Sequence, residues 1–174
     1  LTYRIESYTT GGQILISETT LNEVGSIIKI NGKKEVMPKG VKKPITIYDL
    51  GGIGGKYNLF LPKEEEIYLP LKEAISLHYV VLDGKNVSAC GQSGSLVKLS
   101  EKEAEIQVVN SGENIPHALI NIKINFFWDG KESEDVYGKV LDKKAENGNF
   151  YIHFTAKPPD VSAKLESLYK SLQT

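Results

Sequence analysis

Between residues 118 and 126, apolar and polar side chains alternate without a break. Ala118, Ile120, Ile122, Ile124 and Phe126 fall on one side, with Asn121, Lys123 and Asn125 on the other. Period two over this length predicts a strand with one buried face. Asp129-Gly130 supplies a turn after it. Ile75, Leu77, Tyr79 and Val81 share a face in the same way, and further strands read as Gly94 to Leu99, Ala104 to Val109, Val136 to Leu141 and Phe150 to Thr155. Turns fit at Asp83-Gly84-Lys85-Asn86, at Ser100 to Glu103 and at Glu146-Asn147-Gly148-Asn149. Pro158-Pro159-Asp160 then opens a helix whose Val161, Leu165, Leu168 and Leu172 form one stripe. Six closely spaced strands and one amphipathic helix predict a small antiparallel barrel capped by the helix, since closure removes the edges of an open sheet.

The first fifty residues have another texture. Leu1, Ile5 and Tyr8 fit about two helical turns, stopped by Gly11-Gly12. Gln13 to Ile16 reads as a short strand. Ser17 is the expected N-cap of a short helix with Leu21 and Val24 on its apolar side. Ile27 to Ile30 is a strand, Asn31-Gly32 a hairpin turn, and Lys33 to Met37 the return. Pro38, Gly40 and Pro44 punctuate a loop before a last strand, Ile45 to Leu50. Gly51-Gly52-Ile53-Gly54-Gly55 lacks the Lys-Ser/Thr and the helix of a phosphate loop, so it reads as a flexible joint. Tyr57 to Pro62 looks extended and apolar, and Lys63 to Glu66 is a charged turn. The expected organisation is an α+β chain: a piece at 1–50, a joint at 51–66, and a barrel with its helix at 67–174.

Composition narrows the function. A formal net charge of −1 gives no electrostatic case for nucleic acid or a membrane surface. Lys29, Lys33, Lys34, Lys39, Lys42 and Lys43 crowd one segment, but no aromatics interleave, so they read as a solvated face. Cys90 is the only cysteine, which excludes an internal disulfide. His78, His117 and His153 are scattered without metal-ligand spacing. Trp128 reads as a strand-end core aromatic. No apolar run is long enough to span a bilayer, and the expected compartment is the cytoplasm, with a membrane-anchored parent compatible. The start at Leu1 rather than Met supports an excised piece.

Several residue blocks resemble the C-terminal end of the catalytic domain of class III nucleotidyl cyclases. They are Arg4 with Ile5-Glu6-Ser7, the strand Gln13 to Ser17, the turn Lys39-Gly40 and the strand Pro44 to Leu50. The resemblance covers under a third of the chain. It implies that Arg4 contacts the phosphate of the transition state in the intact parent; a guanidinium, always charged and forked, suits that role. It places the family's Asn one position before Leu1 and the two metal-binding aspartates further upstream. Mg or Mn is thus expected for the parent and no cofactor for this piece, which is expected to be inactive. Class III sites form between two protomers. Without the missing strands the apolar faces of Leu15, Ile28, Ile45 and Ile47 cannot all be buried, so these residues are expected to dock on the barrel or on a second copy of the chain; the expected partners are a second copy or the rest of the cyclase domain.

The second half resembles a PilZ domain through Gly94 to Ile106, Val136 to Asp142 and Phe150 to Leu168. Ligand-binding members carry Arg-x-x-x-Arg and Asp/Asn-x-Ser-x-x-Gly, because two guanidiniums clamp phosphates and stack on guanines. No arginine lies near Leu71 to Val80. Lys98 stands where Asp or Asn belongs, Ser100 matches, and Glu103 replaces Gly. Cyclic di-GMP binding is not expected. A rival expectation is a receptor domain for a cyclic dinucleotide or another nucleotide.

Overall fold

The computed structural model describes residues 2–38, 40–62, 65–83, 86–87, 91–108, 115–145 and 148–173. Leu1, Lys39, Lys63, Gly84-Lys85, Cys90, Val109 and Glu146-Asn147, used above, lie outside the described residues. The chain divides into two compact units, 1–64 and 65–174.

The first unit holds α1 (Thr2–Glu6), β1 (Leu15–Ser17), α2 (Glu18–Val24), a 3-10 turn (Gly25–Ile27), β2 (Ile28–Val36), β3 (Ile45–Ile53) and β4 (Leu59–Phe60). Ile5 is buried in α1, but the helix ends at Glu6, so the half-buried Tyr8 lies past it and Gly11-Gly12 are not its stop, contrary to the expectation of about two turns. Ser17 does cap α2, accepting from the Thr20 N–H at 3.2 Å. The sheet runs β1-β3-β2, with β4 on the end of β3, all antiparallel. Ile47 is buried at 1 % exposure, while Leu15, Ile28 and Ile45 are half-buried.

Two further expectations fail here. Asn31-Gly32 is not a hairpin turn. β2 runs through it as one strand, and the β2–β3 register slips between Lys29 and Ile30 and again between Ile30 and Gly32. A type I′ turn needs positive φ at both central residues, and neither Asn31 nor Gly32 has it. The Asn31 carboxamide instead lies against Gly51, where any Cβ would collide with it. The reversal comes later, in the connection from Met37 to Pro44. Gly51 and Gly52 correspondingly belong to β3 rather than to a joint. A Cβ on Gly52 would collide with Phe60, so both glycines permit close crossings.

The second unit holds β5 (Leu69–Asp83), β6 (Asn86–Val87), β7 (Gln92–Leu99), β8 (Glu103–Val108), β9 (Asn121–Trp128), β10 (Lys131–Glu132), β11 (Val136–Val140), β12 (Phe150–Ala156) and α3 (Pro159–Leu172). Pairing runs β9-β11-β12-β8-β7-β5, and β5 also pairs β9. The ring is therefore a closed six-stranded antiparallel barrel, with β6 and β10 as short hairpin arms. The expected alternation holds in β9, where Ile122, Ile124 and Phe126 are fully buried. β9 begins only at Asn121, because Leu119 adopts φ +68 and Ala118 is exposed. Asp129 and Gly130 take φ +51 and +73, the pair a two-residue hairpin needs. β5 starts earlier than alternation showed, at Leu69, with a register shift between Pro70 and Ile75. α3 opens on Pro159 and buries Val161 and Leu165 in the barrel core beside Leu77, Leu96 and Ile152, with Leu168 packed at its edge.

Candidate functional site

Arg4 sits in α1, which ends at Glu6, and is exposed. The Ser7 hydroxyl donates to the Arg4 carbonyl at 2.8 Å, closing the helix end. A Cβ on Gly40 would stand 3.9 Å from Arg4 Nη2, so the guanidinium lies over the turn that follows β2. Gly40 itself needs its φ of +78 there. Two blocks of the cyclase-like pattern, Arg4 and the turn at Gly40, are thus adjacent. Lys29, Lys33, Lys34, Lys42 and Lys43 are exposed, with the Lys29 ammonium 5.8 Å over the Phe60 ring.

In the barrel, Lys98, Ser100 and Glu103 are each engaged with other barrel groups. Ser100 is buried; its hydroxyl accepts from the Glu103 N–H at 2.9 Å and donates to the Glu103 carbonyl at 3.1 Å. Lys98 Nζ meets Glu105 Oε2 at 2.7 Å. Glu105 is 3 % exposed and also accepts from Asn149 Nδ2 at 2.7 Å and from the Tyr151 hydroxyl at 2.9 Å. Burial opposes its charge, but these three donors outweigh burial and hold its pKa below the ordinary carboxylate value.

Glu103 accepts from the Tyr68 hydroxyl. His153 Nδ1 stands 3.7 Å from its other oxygen, an ion pair only when the imidazole is protonated. Burial opposes the Glu103 charge too, and His153, Tyr68 and Lys143 together prevail, leaving its pKa lowered. Burial, and then the Glu103 carboxylate, push the Tyr68 hydroxyl pKa up. Lys143 Nζ lies 4.0 Å over the Tyr68 ring and 4.5 Å over Tyr151, and the two rings meet edge to face at 5.0 Å. Sequence reasoning named Lys98, Ser100 and Glu103 but missed Tyr68, Lys143, Asn149 and Tyr151. No local signal marks those four, because each pairs across the barrel.

Beside the β7–β8 turn, a cavity of about 470 Å³ opens between Ser100 to Lys102 and α3. Lys102, Lys157, Lys170 and Tyr169 line it, with Glu101 and Glu166 as counter-charges. Trp128 stacks on Phe126 at 5.1 Å and carries Lys164 5.0 Å over its ring. The histidines stay apart: His78 packs edge-on to Phe127, His117 is exposed, and His153 faces away from the core. Among the described residues no three His, Cys, Asp or Glu side chains converge on a metal-sized site. Among them, too, no helix is long and apolar enough to cross a membrane.

No family model and no curated protein matches the chain. Among solved structures, the guanylyl cyclase Cya2 is 59 % identical over 35 % of this chain, with a TM-score of 0.35. The chain spans about a third (31 %) of that cyclase chain. The PilZ domain of CeSA from a cellulose-synthesising bacterium is 18 % identical, covering 62 % of this chain and 99 % of its own, at a TM-score of 0.42. YcgR from Escherichia coli, solved with c-di-GMP, is 12 % identical over 92 % of this chain and 65 % of its own, at 0.40. Superpositions this loose add nothing to the topology above.

Proposed function

We propose that this chain is the C-terminal regulatory and assembly region of a class III nucleotide cyclase, whose parent converts ATP or GTP to a 3′,5′-cyclic nucleotide and diphosphate in intracellular signalling. The observation that carries this is the ordered run of blocks from Arg4 to Leu50, supported by 59 % identity to a guanylyl cyclase over 35 % of the chain. In the parent, Arg4 reaches the transition-state phosphate while Mg or Mn neutralises the triphosphate. It is the chain's only arginine. The partner is the rest of the cyclase domain or a second copy of the chain. The test is Arg4→Ala in the intact parent. We expect kcat to fall about 10²- to 10³-fold, the range for losing one transition-state donor, with KM little changed. An unchanged kcat would remove the role. The chain alone is expected to leave ATP and GTP unreacted, and turnover by it would contradict the reading.

The barrel serves this reading as a positioning module and does not bind cyclic di-GMP. Lys98 and Glu103, at the motif positions, are committed to Glu105 and to Tyr68, and the barrel unit has no arginine. The cavity beside α3 favours a second reading, a receptor for another nucleotide, since three lysines and a tyrosine line it. Thermal shift separates the two. A ligand at 100 times its dissociation constant adds about 2.7 kcal/mol. A clear shift with any nucleotide or cyclic dinucleotide selects the receptor, and a flat screen selects the positioning module.

A further inference from the structure

We infer that Glu66-Ile67-Tyr68 is a latch: three consecutive residues fastened to three separate parts of the barrel, fixing how the chain enters it. The Glu66 carboxylate accepts from the Lys102 N–H of the β7–β8 turn at 3.3 Å. The Ile67 carbonyl accepts from the Tyr169 hydroxyl of α3 at 3.3 Å. The Tyr68 hydroxyl donates to Glu103 at the start of β8. These partners lie 36, 102 and 35 positions away in sequence, so the segment is held by the finished fold rather than by local structure.

The attachment is polar. The Ile67 residue is 67 % exposed, and none of the three latch residues belongs to the barrel core. The latch can therefore open without unmaking the core. Its anchors are also shared. Lys102 and Tyr169 line the cavity beside α3, so whatever occupies or recharges that cavity acts on two of the three fastenings. That the latch transmits such a change to a cyclase rests on the function proposed above; the latch itself rests only on these contacts.

Amide hydrogen exchange on the whole chain tests it, comparing wild type with Tyr68→Phe and Tyr169→Phe. Exchange at the Lys102 amide, which the Glu66 carboxylate holds, should quicken about tenfold in each variant, while the amides of β9 and β11 keep their protection. Unchanged exchange at Lys102 would overturn the latch. So would equal acceleration in β9 and β11, which would make the segment part of the core. Tyr68→Phe in the intact cyclase separates the two ideas. Quickened exchange with unaltered cyclase activity would sink the coupling to catalysis and leave the latch standing.

Discussion

Ser100 and Glu105 show what single side chains do in the barrel wall. The Ser100 hydroxyl satisfies both backbone groups of Glu103 from a buried position. Ser100→Ala leaves the Glu103 N–H without that acceptor, while the Glu103 carbonyl keeps the Ser100 N–H at 2.9 Å, and should cost about 1–2 kcal/mol in a urea titration; a loss near zero would mean that the turn holds itself. Glu105 is the heavier case, a buried carboxylate with three donors. Glu105→Ala should cost about 2–3 kcal/mol, and Glu105→Gln, which keeps some acceptor capacity, less. A cost near zero for Glu105→Gln would show that the side chain contributes only bulk. The sequence marked Lys98, Ser100 and Glu103 because a motif is contiguous. It could not show that Lys98 pairs with Glu105, or that Asn149 and Tyr151 lie 44 and 46 positions from the carboxylate they serve.

At the scale of elements, periodicity read the barrel strands and α3 because each has one buried face: Ile122, Ile124 and Phe126 in β9, Val161 and Leu165 in α3. Leu165→Ala should cost about 2–5 kcal/mol, the range for emptying a buried leucine site. A smaller loss, with α3 amides exchanging freely, would mean that the helix is not clamped to the core. Local signals misled where a distant strand decided the backbone. Asn31-Gly32 has ideal hairpin chemistry, yet β3 pairs along the whole of β2 and the dipeptide is absorbed by slips in register. Gly51-Gly52 looks like a joint, yet each glycine makes room for a side chain from elsewhere. Gly52→Ala, which would meet the Leu59 carbonyl oxygen and the Phe60 backbone, should therefore lower the stability of the first unit, whereas a glycine in a true joint would tolerate or welcome alanine.

For the whole molecule, acid should act on the two units with opposite sign. Glu103 and Glu105 have depressed pKa values, so the stability they lend is present above the ordinary value and lost as pH falls through the folded one. Asp49, in the first unit, is raised by burial with Lys34 pulling it back; acidification relieves its cost. Trp128 is the only tryptophan and lies in the barrel unit, so its fluorescence follows that unit alone. Its urea midpoint should drop between about pH 6 and about pH 3. A constant midpoint would show that the two carboxylates lend no net stability. Closure of the ring has a consequence for how the protein is made. The seam joins Leu77 to Phe126 and Leu82 to Asn121, and β12 must still slot between β8 and β11. A chain emerging from the ribosome therefore carries unpaired strand borders until about residue 156 is out. Its hazard of sticking to neighbours is confined to that brief interval of synthesis and ends when the last strand is seated.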